Sequence, residues 1–301
     1  MDMKLKASLR KIGIDLDTDS FPEVKNGGFV VPSTAIVSPI DLGEEFYNVG
    51  PKGRSEVKPR PRTSGRPRPP RQPRTPGGSR APSSTASLIG AELRGQYEKE
   101  LTAVEVAYPG TQHWLNDDAI WLVVESSLLP DLGYKAYFVV AIFLGNPAVK
   151  SWGFWGTPVV GYEWIGPRHT NFPDGSICAF DLTDGTWEMG QSLVKLLDLY
   201  TIWAVRHLHY RVFGRWPGFQ SVSHVYERVL EMKANEFCGC SNYRTLYGEC
   251  CMQRDQSSNL LREAVGFLLW SGGGLRRPPN SIIKFLQDRT TAPELAEAFR
   301  S

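Results

Sequence analysis

The sequence has no apolar run long enough to cross a bilayer: its longest, Ala136 to Leu144, is strand-sized, against the roughly 18–20 uncharged residues a spanning helix needs. The leading Met1-Asp2-Met3-Lys4-Leu5-Lys6 opens into no apolar stretch of signal-peptide type. No Gly-rich phosphate loop is found, so any step that consumes ATP belongs to another chain. Cysteine is scarce, five in 301 residues, and four of the five fall in one patch. A disulfide scaffold is thereby excluded, and the expectation is a soluble cytoplasmic protein whose cysteines serve metal binding or catalysis.

What the sequence has in excess is unevenly placed. Its net charge is only +2, yet residues 51–80 carry ten Lys/Arg and a single Glu, leaving the other 271 residues near −7. Alternating Pro and Arg, as in Pro59-Arg60-Pro61-Arg62, cannot bury an apolar face. Residues 50–86 therefore read as an extended, partly polyproline-II linker. The linker acts first as a solvated spacer and second as a nonspecific, salt-sensitive tether for nucleic acid or an acidic partner. It lacks the interleaved aromatics that would stack on bases. Before it, residues 1–49 form a small lobe of unassigned role with one strand signal at Gly28-Phe29-Val30-Val31.

Order resumes with a helix from about Thr85 to Ala103. Apolar β-branched and aromatic runs follow at 119–124, 136–143 and 159–165, each bounded by turn residues, and predict an antiparallel meander. Leu193, Leu196, Leu197, Tyr200, Trp203, Ala204 and Leu208 then recur at helical spacing over 190–213. The predicted class is α+β, a meander packed on helices, with a small zinc-binding appendage. Residues 87–230 form the catalytic domain, 231–256 the cysteine motif, and 257–301 a helical tail with a docking helix through Leu260, Leu261, Val265 and Leu268.

Two sites stand out. Cys178 is the cysteine left outside the patch; it lies just past an Asp174-Gly175 turn, seven residues after Asn171. A single thiol with polar neighbours is a candidate nucleophile. Cys238, Cys240, Cys250 and Cys251 offer four soft ligands within fourteen residues, which suits a closed, structural, tetrahedral zinc site. Free thiols or a redox pair are the plainer alternatives.

His169-Thr170-Asn171, then Gly175-Ser176-Ile177-Cys178, then Trp187 and an amphipathic helix resemble the active-site stretch of ubiquitin-conjugating enzymes. With Trp203-Ala204-Val205-Arg206-His207-Leu208, Gly214-Arg215-Trp216-Pro217-Gly218 and the late cysteine pairs, residues 88–256 resemble more closely the bacterial ubiquitin-conjugating-like proteins of antiphage (CBASS-type) operons. Thr170 stands in place of the family's proline, the Asn-to-Cys interval is one residue short, and Ala179 takes the place of leucine.

The resemblance implies a ubiquitin-conjugating-like fold and an acyl transferase. Cys178 would accept a protein C-terminus as a thioester and pass it to an amine, and Asn171 would donate to the oxyanion. His169 would order the asparagine's loop by hydrogen bonding. Asp174, Asp181 or Asp184 would assist the amine. The implied partners are a cGAS-like nucleotidyltransferase or a ubiquitin-like protein, with a separate activating enzyme. Two other classes stay open. One is a noncatalytic adaptor of the same fold. The other is a cysteine hydrolase using His207, His209 or His224, although His207 and His209, two apart on a helix, cannot both face one thiol.

Overall fold

The computed structural model describes residues 23–25, 29–31, 84–126, 135–157, 161–179, 186–217, 222, 224–238, 240, 245–271 and 276–293. The Pro/Arg linker up to residue 83, Asp181, Asp184 and Gly272–Gly274 lie outside the described residues. Of the N-terminal lobe, two short strands are described, β1 (Glu23–Lys25) and β2 (Phe29–Val31), paired antiparallel.

The chain is α+β. Helix α1 (Ser84–Ala107), which begins inside the last residues expected to be linker, leads into five strands. These are β3 (Gln112–Leu115), β4 (Ala119–Glu125), β5 (Ala136–Phe143), β6 (Ala148–Thr157) and β7 (Gly161–Trp164). They pair in sequence order as an antiparallel meander. The thiol segment follows, and then the long helix α2 (Leu193–Phe213). Beyond it come α3 (Val225–Glu231), a 3-10 turn at Tyr247–Glu249, α4 (Met252–Gln256), α5 (Leu260–Trp270) and α6 (Asn280–Asp288).

β4 and β5 are apolar without alternation because both faces of the sheet are covered. One face, with Ile120, Leu122, Phe138 and Val140, packs on α1 and α2 through Tyr97, Val104, Leu197 and Trp203. The other face, with Trp121, Val139, Trp152 and Phe154, is closed by Ile282, Phe285 and Leu286 of α6. Phe285 meets Trp114 and Trp121 edge-on, at 5.0 and 5.8 Å between ring centroids. Burying aromatic surface of this kind is the largest single favourable contribution to such a layer.

α2 is buried nearly all round, from Leu193 to Val212. It packs on both the sheet and the segment that carries Cys178. Gly153 in β6 makes room for it: a Cβ there would lie 2.5 Å from Cζ3 of Trp203. The helix stops at Gly214, whose φ of 68° closes a left-handed cap on the Tyr210 carbonyl.

Candidate functional site

Cys178 ends a tight antiparallel hairpin. The amide of Cys178 donates to the carbonyl of His169 (2.9 Å), and that of Asn171 donates to the carbonyl of Ser176 (2.7 Å). Between them Thr170 and Ile177 form the bridge pair. This register sets His169 opposite Cys178 and Asn171 opposite Ser176 on one face, while Thr170 and Ile177 turn to the other. Gly175 sits at the turn with φ of 64°, and a Cβ there would lie 2.8 Å from the backbone of Arg277. The hairpin is anchored to the sheet by the amide of Ile177, which donates to Ser151 O of β6 (2.7 Å). Ile177 is buried in the core and Cys178, the next residue, is exposed.

The expected helpers are placed differently from one another. Asn171 is exposed, and its amide donates to Ser176 Oγ (3.3 Å) and to the carbonyl of Ile177 (3.2 Å). His169 holds the loop through its main chain and its ring face, not through a side-chain hydrogen bond. Its φ is 49°, in the left-handed region, and Nε2 is buried with no hydrogen-bond partner. The ring lies flat on Trp216, 4.2 Å between centroids. Burial, reinforced by Arg168, Arg206, His207 and Arg276, holds the imidazole well below its usual pKa, so it is neutral at physiological pH.

Asp174 is spent on structure. Its buried carboxylate pairs with Lys150 and accepts the amide of Ser176 (3.0 Å), and its carbonyl takes the indole N–H of Trp152 (2.9 Å). The histidines of a hydrolase are likewise occupied. His207 Nε2 bonds the carbonyl of Arg168 (2.8 Å), His209 Nδ1 bonds that of Arg215 (3.2 Å), and His224 caps α3 by accepting from the amide of Tyr226 (3.3 Å). Trp187 is fully buried in the core.

Cys178 opens on a hollow of about 10 Å³, room for a single water. His169, Trp203, Arg206 and Trp216 are among its walls. Trp216 and Arg206 carried no signal of their own in the sequence beyond the motifs that contain them. Trp203 did carry a helical signal, but not the one that matters here, its indole N–H donated to the carbonyl of His169 (2.9 Å).

The four clustered cysteines come together. Their sulfurs all lie within 4.8 Å of one another, with Cys240 to Cys250 at 3.4 Å and Cys250 to Cys251 at 3.6 Å. A tetrahedron of thiolates around a metal at ~2.3 Å has edges of ~3.8 Å, so this group could hold a metal ion. The loop is closed by the Phe237–Leu246 bridge and by the amide of Cys238 on Thr245 O (2.9 Å). Cys238 and Cys251 are buried against Met232 and Tyr247. Below them Arg228 grips Asp255 with two bonds, 2.7 and 3.0 Å, and Arg254 Nη2 points at Cys251 Sγ (3.2 Å). Without a metal two of the thiols hold their protons tightly: hydrogen bonding from Cys240 and its neighbours pushes Cys250 up, and burial does the same for Cys238.

No described helix is long and apolar enough to cross a membrane. Compared with protein-family models, with curated proteins and with solved structures, the chain matches none.

Proposed function

We propose that this protein is a cysteine-dependent conjugating enzyme of ubiquitin-conjugating-like fold, in which Cys178 carries an acyl group as a thioester. The observation that carries the reading is the placement of Cys178: exposed, one residue beyond the buried Ile177, at the lip of a hollow it shares with His169. The order helix, meander, thiol hairpin and long helix also agrees with the motif order in the sequence.

In the first step the Cys178 thiolate attacks the carbonyl of a carrier's activated C-terminus, and the carrier's previous thiol leaves with the electron pair. In the second an amine attacks the new thioester, loses its proton to solvent, and Cys178 departs as thiolate. Asn171 supports the intermediate. Its two present bonds are long, and one can be exchanged for the oxyanion. His169, neutral and stacked, shapes the wall and does not act as a base. The metal of the cysteine knuckle is zinc, in a structural role. The carrier is a nucleotidyltransferase or a ubiquitin-like protein, charged by a separate activating enzyme, in antiphage defence.

A peptide ending in a glycyl mercaptoethanesulfonate thioester tests the chemistry without the natural carrier. A Cys178 adduct that forms faster than on a free cysteine peptide, is reversed by dithiothreitol and is absent in Cys178→Ala is the expected result. Labelling no faster than that of the control peptide ends the proposal.

A noncatalytic adaptor of the same fold is favoured by one feature. α5 presents Leu261, Leu269 and Trp270 at 76%, 80% and 61% exposure. Phe172 of the hairpin touches the same helix, 5.0 Å from Phe267. An adaptor would bind its partner equally well after Cys178→Ala.

A further inference from the structure

We infer that Glu236 is a positioning residue that couples the four-cysteine knuckle to the Cys178 site. Glu236 stands two residues before Cys238, and its side chain is 0% exposed. The donors to the carboxylate include the amide of Trp216 (2.7 Å), Nη2 of Arg168 (3.0 Å) and the amide of Lys233 (3.1 Å). Its main-chain carbonyl takes the amide of Tyr247 (2.7 Å), next to the bridge that closes the knuckle. One residue therefore belongs to the knuckle by its backbone and to the thiol site by its side chain.

The far ends of these bonds reach Cys178 from two directions. Arg168 immediately precedes His169, and its guanidinium lies over the rings of Tyr210 and Trp216, at 5.1 and 5.9 Å from their centroids. Trp216 stacks on His169, and both rings wall the hollow on which Cys178 opens. A buried carboxylate bonded to a buried guanidinium has little latitude: Arg168 also lies 3.8 Å from the Glu231 carboxylate, but its shorter pair is with Glu236, and moving Glu236 breaks charge-assisted bonds in a dry environment. Closure of the knuckle around its metal thus fixes Glu236, and Glu236 fixes Trp216, Arg168 and the His169 backbone. Metal occupancy sets how Cys178 is presented. The inference rests on Cys178 being a reactive thiol, whichever acyl carrier it meets.

The test follows alkylation of Cys178 by iodoacetamide in the full zinc-loaded chain, from about pH 6 to 9, read peptide by peptide so that the knuckle thiols are scored separately. Glu236→Gln, with zinc still bound one per chain and a cooperative melt, is expected to change the Cys178 rate by about threefold or more and to displace its pH profile. Stripping zinc from the wild type is expected to do the same, in the same direction. Stripping zinc from Glu236→Gln is then expected to add nothing, since both act through one link.

A profile in Glu236→Gln within about twofold of wild type, or independent addition of the two effects, overturns the coupling. Should Glu236→Gln fail to fold, Glu236→Asp, which keeps the charge on a shorter arm, is read by the same criteria. Failure of the conjugation reading looks different: no thioester at Cys178 in any of these proteins, while the alkylation coupling persists.

Discussion

Trp203 and Cys178 share one acceptor: the carbonyl of His169 takes the indole N–H of the first and the amide of the second, each at 2.9 Å. The central helix and the thiol hairpin are thereby registered to each other at a single oxygen. The other end of the same indole lies on Gly153, where a Cβ would come within 2.5 Å of it. Pinned at its nitrogen, the ring cannot slide aside without breaking that bond. Gly153→Ala is expected to cost about 1–3 kcal/mol, as overpacking in a filled core does. Urea titration against wild type measures it, and an unchanged midpoint refutes the pinned-ring account.

Asn171 is tested at the second chemical step. With Cys178 already carrying the peptide thioester, Asn171→Ala is expected to slow transfer to lysine by about 10²–10³-fold, the size of a lost oxyanion donor, while thioester formation is unaffected. Ser176→Ala, which frees one partner of the Asn171 amide, is expected to leave transfer at or above the wild-type rate. Single-turnover chase with free lysine separates the steps. Equal discharge by Asn171→Ala and wild type would leave the asparagine a turn residue only.

For the knuckle, elemental analysis is expected to find one zinc per chain, lost on Cys250→Ser, an exposed position chosen to spare the packing. The metal must displace protons from its thiol ligands, two of which, Cys238 and Cys250, have raised pKa values, so its affinity is expected to fall steeply with falling pH. Chelation should lower Tm and open the 231–256 segment to protease. A chelated protein that melts unchanged would deny the metal any role in folding.

Acid stability turns on the two buried histidines whose pKa values are lowered, His169 and His207, of which His207 is the one to test. Burial drives its pKa down to about 3, against the ordinary 6.5, with the Arg168 carbonyl opposing and the Arg168 charge assisting. The unfolded chain therefore takes up this proton below about pH 6.5 while the folded chain refuses it until about pH 3. Stability from this group is complete above the unfolded pKa and declines as pH falls through that window. At about 1.4 kcal/mol per unit, the loss amounts to several kcal/mol. His207→Gln, which keeps a donor for the carbonyl but cannot titrate, is expected to flatten the decline of Tm between pH 6.5 and 4. An unaltered slope would assign the acid lability elsewhere.

The sequence makes β4, β5, α1 and α2 readable because their apolar content is continuous or helically spaced. β6 escapes such reading: Lys150, Ser151, Gly153 and Gly156 interrupt it, and the two glycines are there to admit Trp203 and Tyr137. β3 is a four-residue, mostly exposed strand with no pattern to find. Cysteine spacing alone located the knuckle. The Glu236–Arg168 link, 68 residues apart, has no local signature, since one acid and one base among many are paired only by the fold. Asp174, close to the thiol in sequence, is turned inward to Lys150, which proximity along the chain could not reveal.

Because α6 seals the second sheet face, that helix is structural insulation for the sheet. Trimming the chain after the cysteine knuckle would strip Ile282, Phe285 and Leu286 from Trp121, Val139, Trp152 and Phe154 and leave a flat, greasy wall facing water. Such a wall invites self-association. A fragment intended to isolate the thiol chemistry must therefore extend through Asp288, even though nothing in that helix lies near Cys178 in sequence.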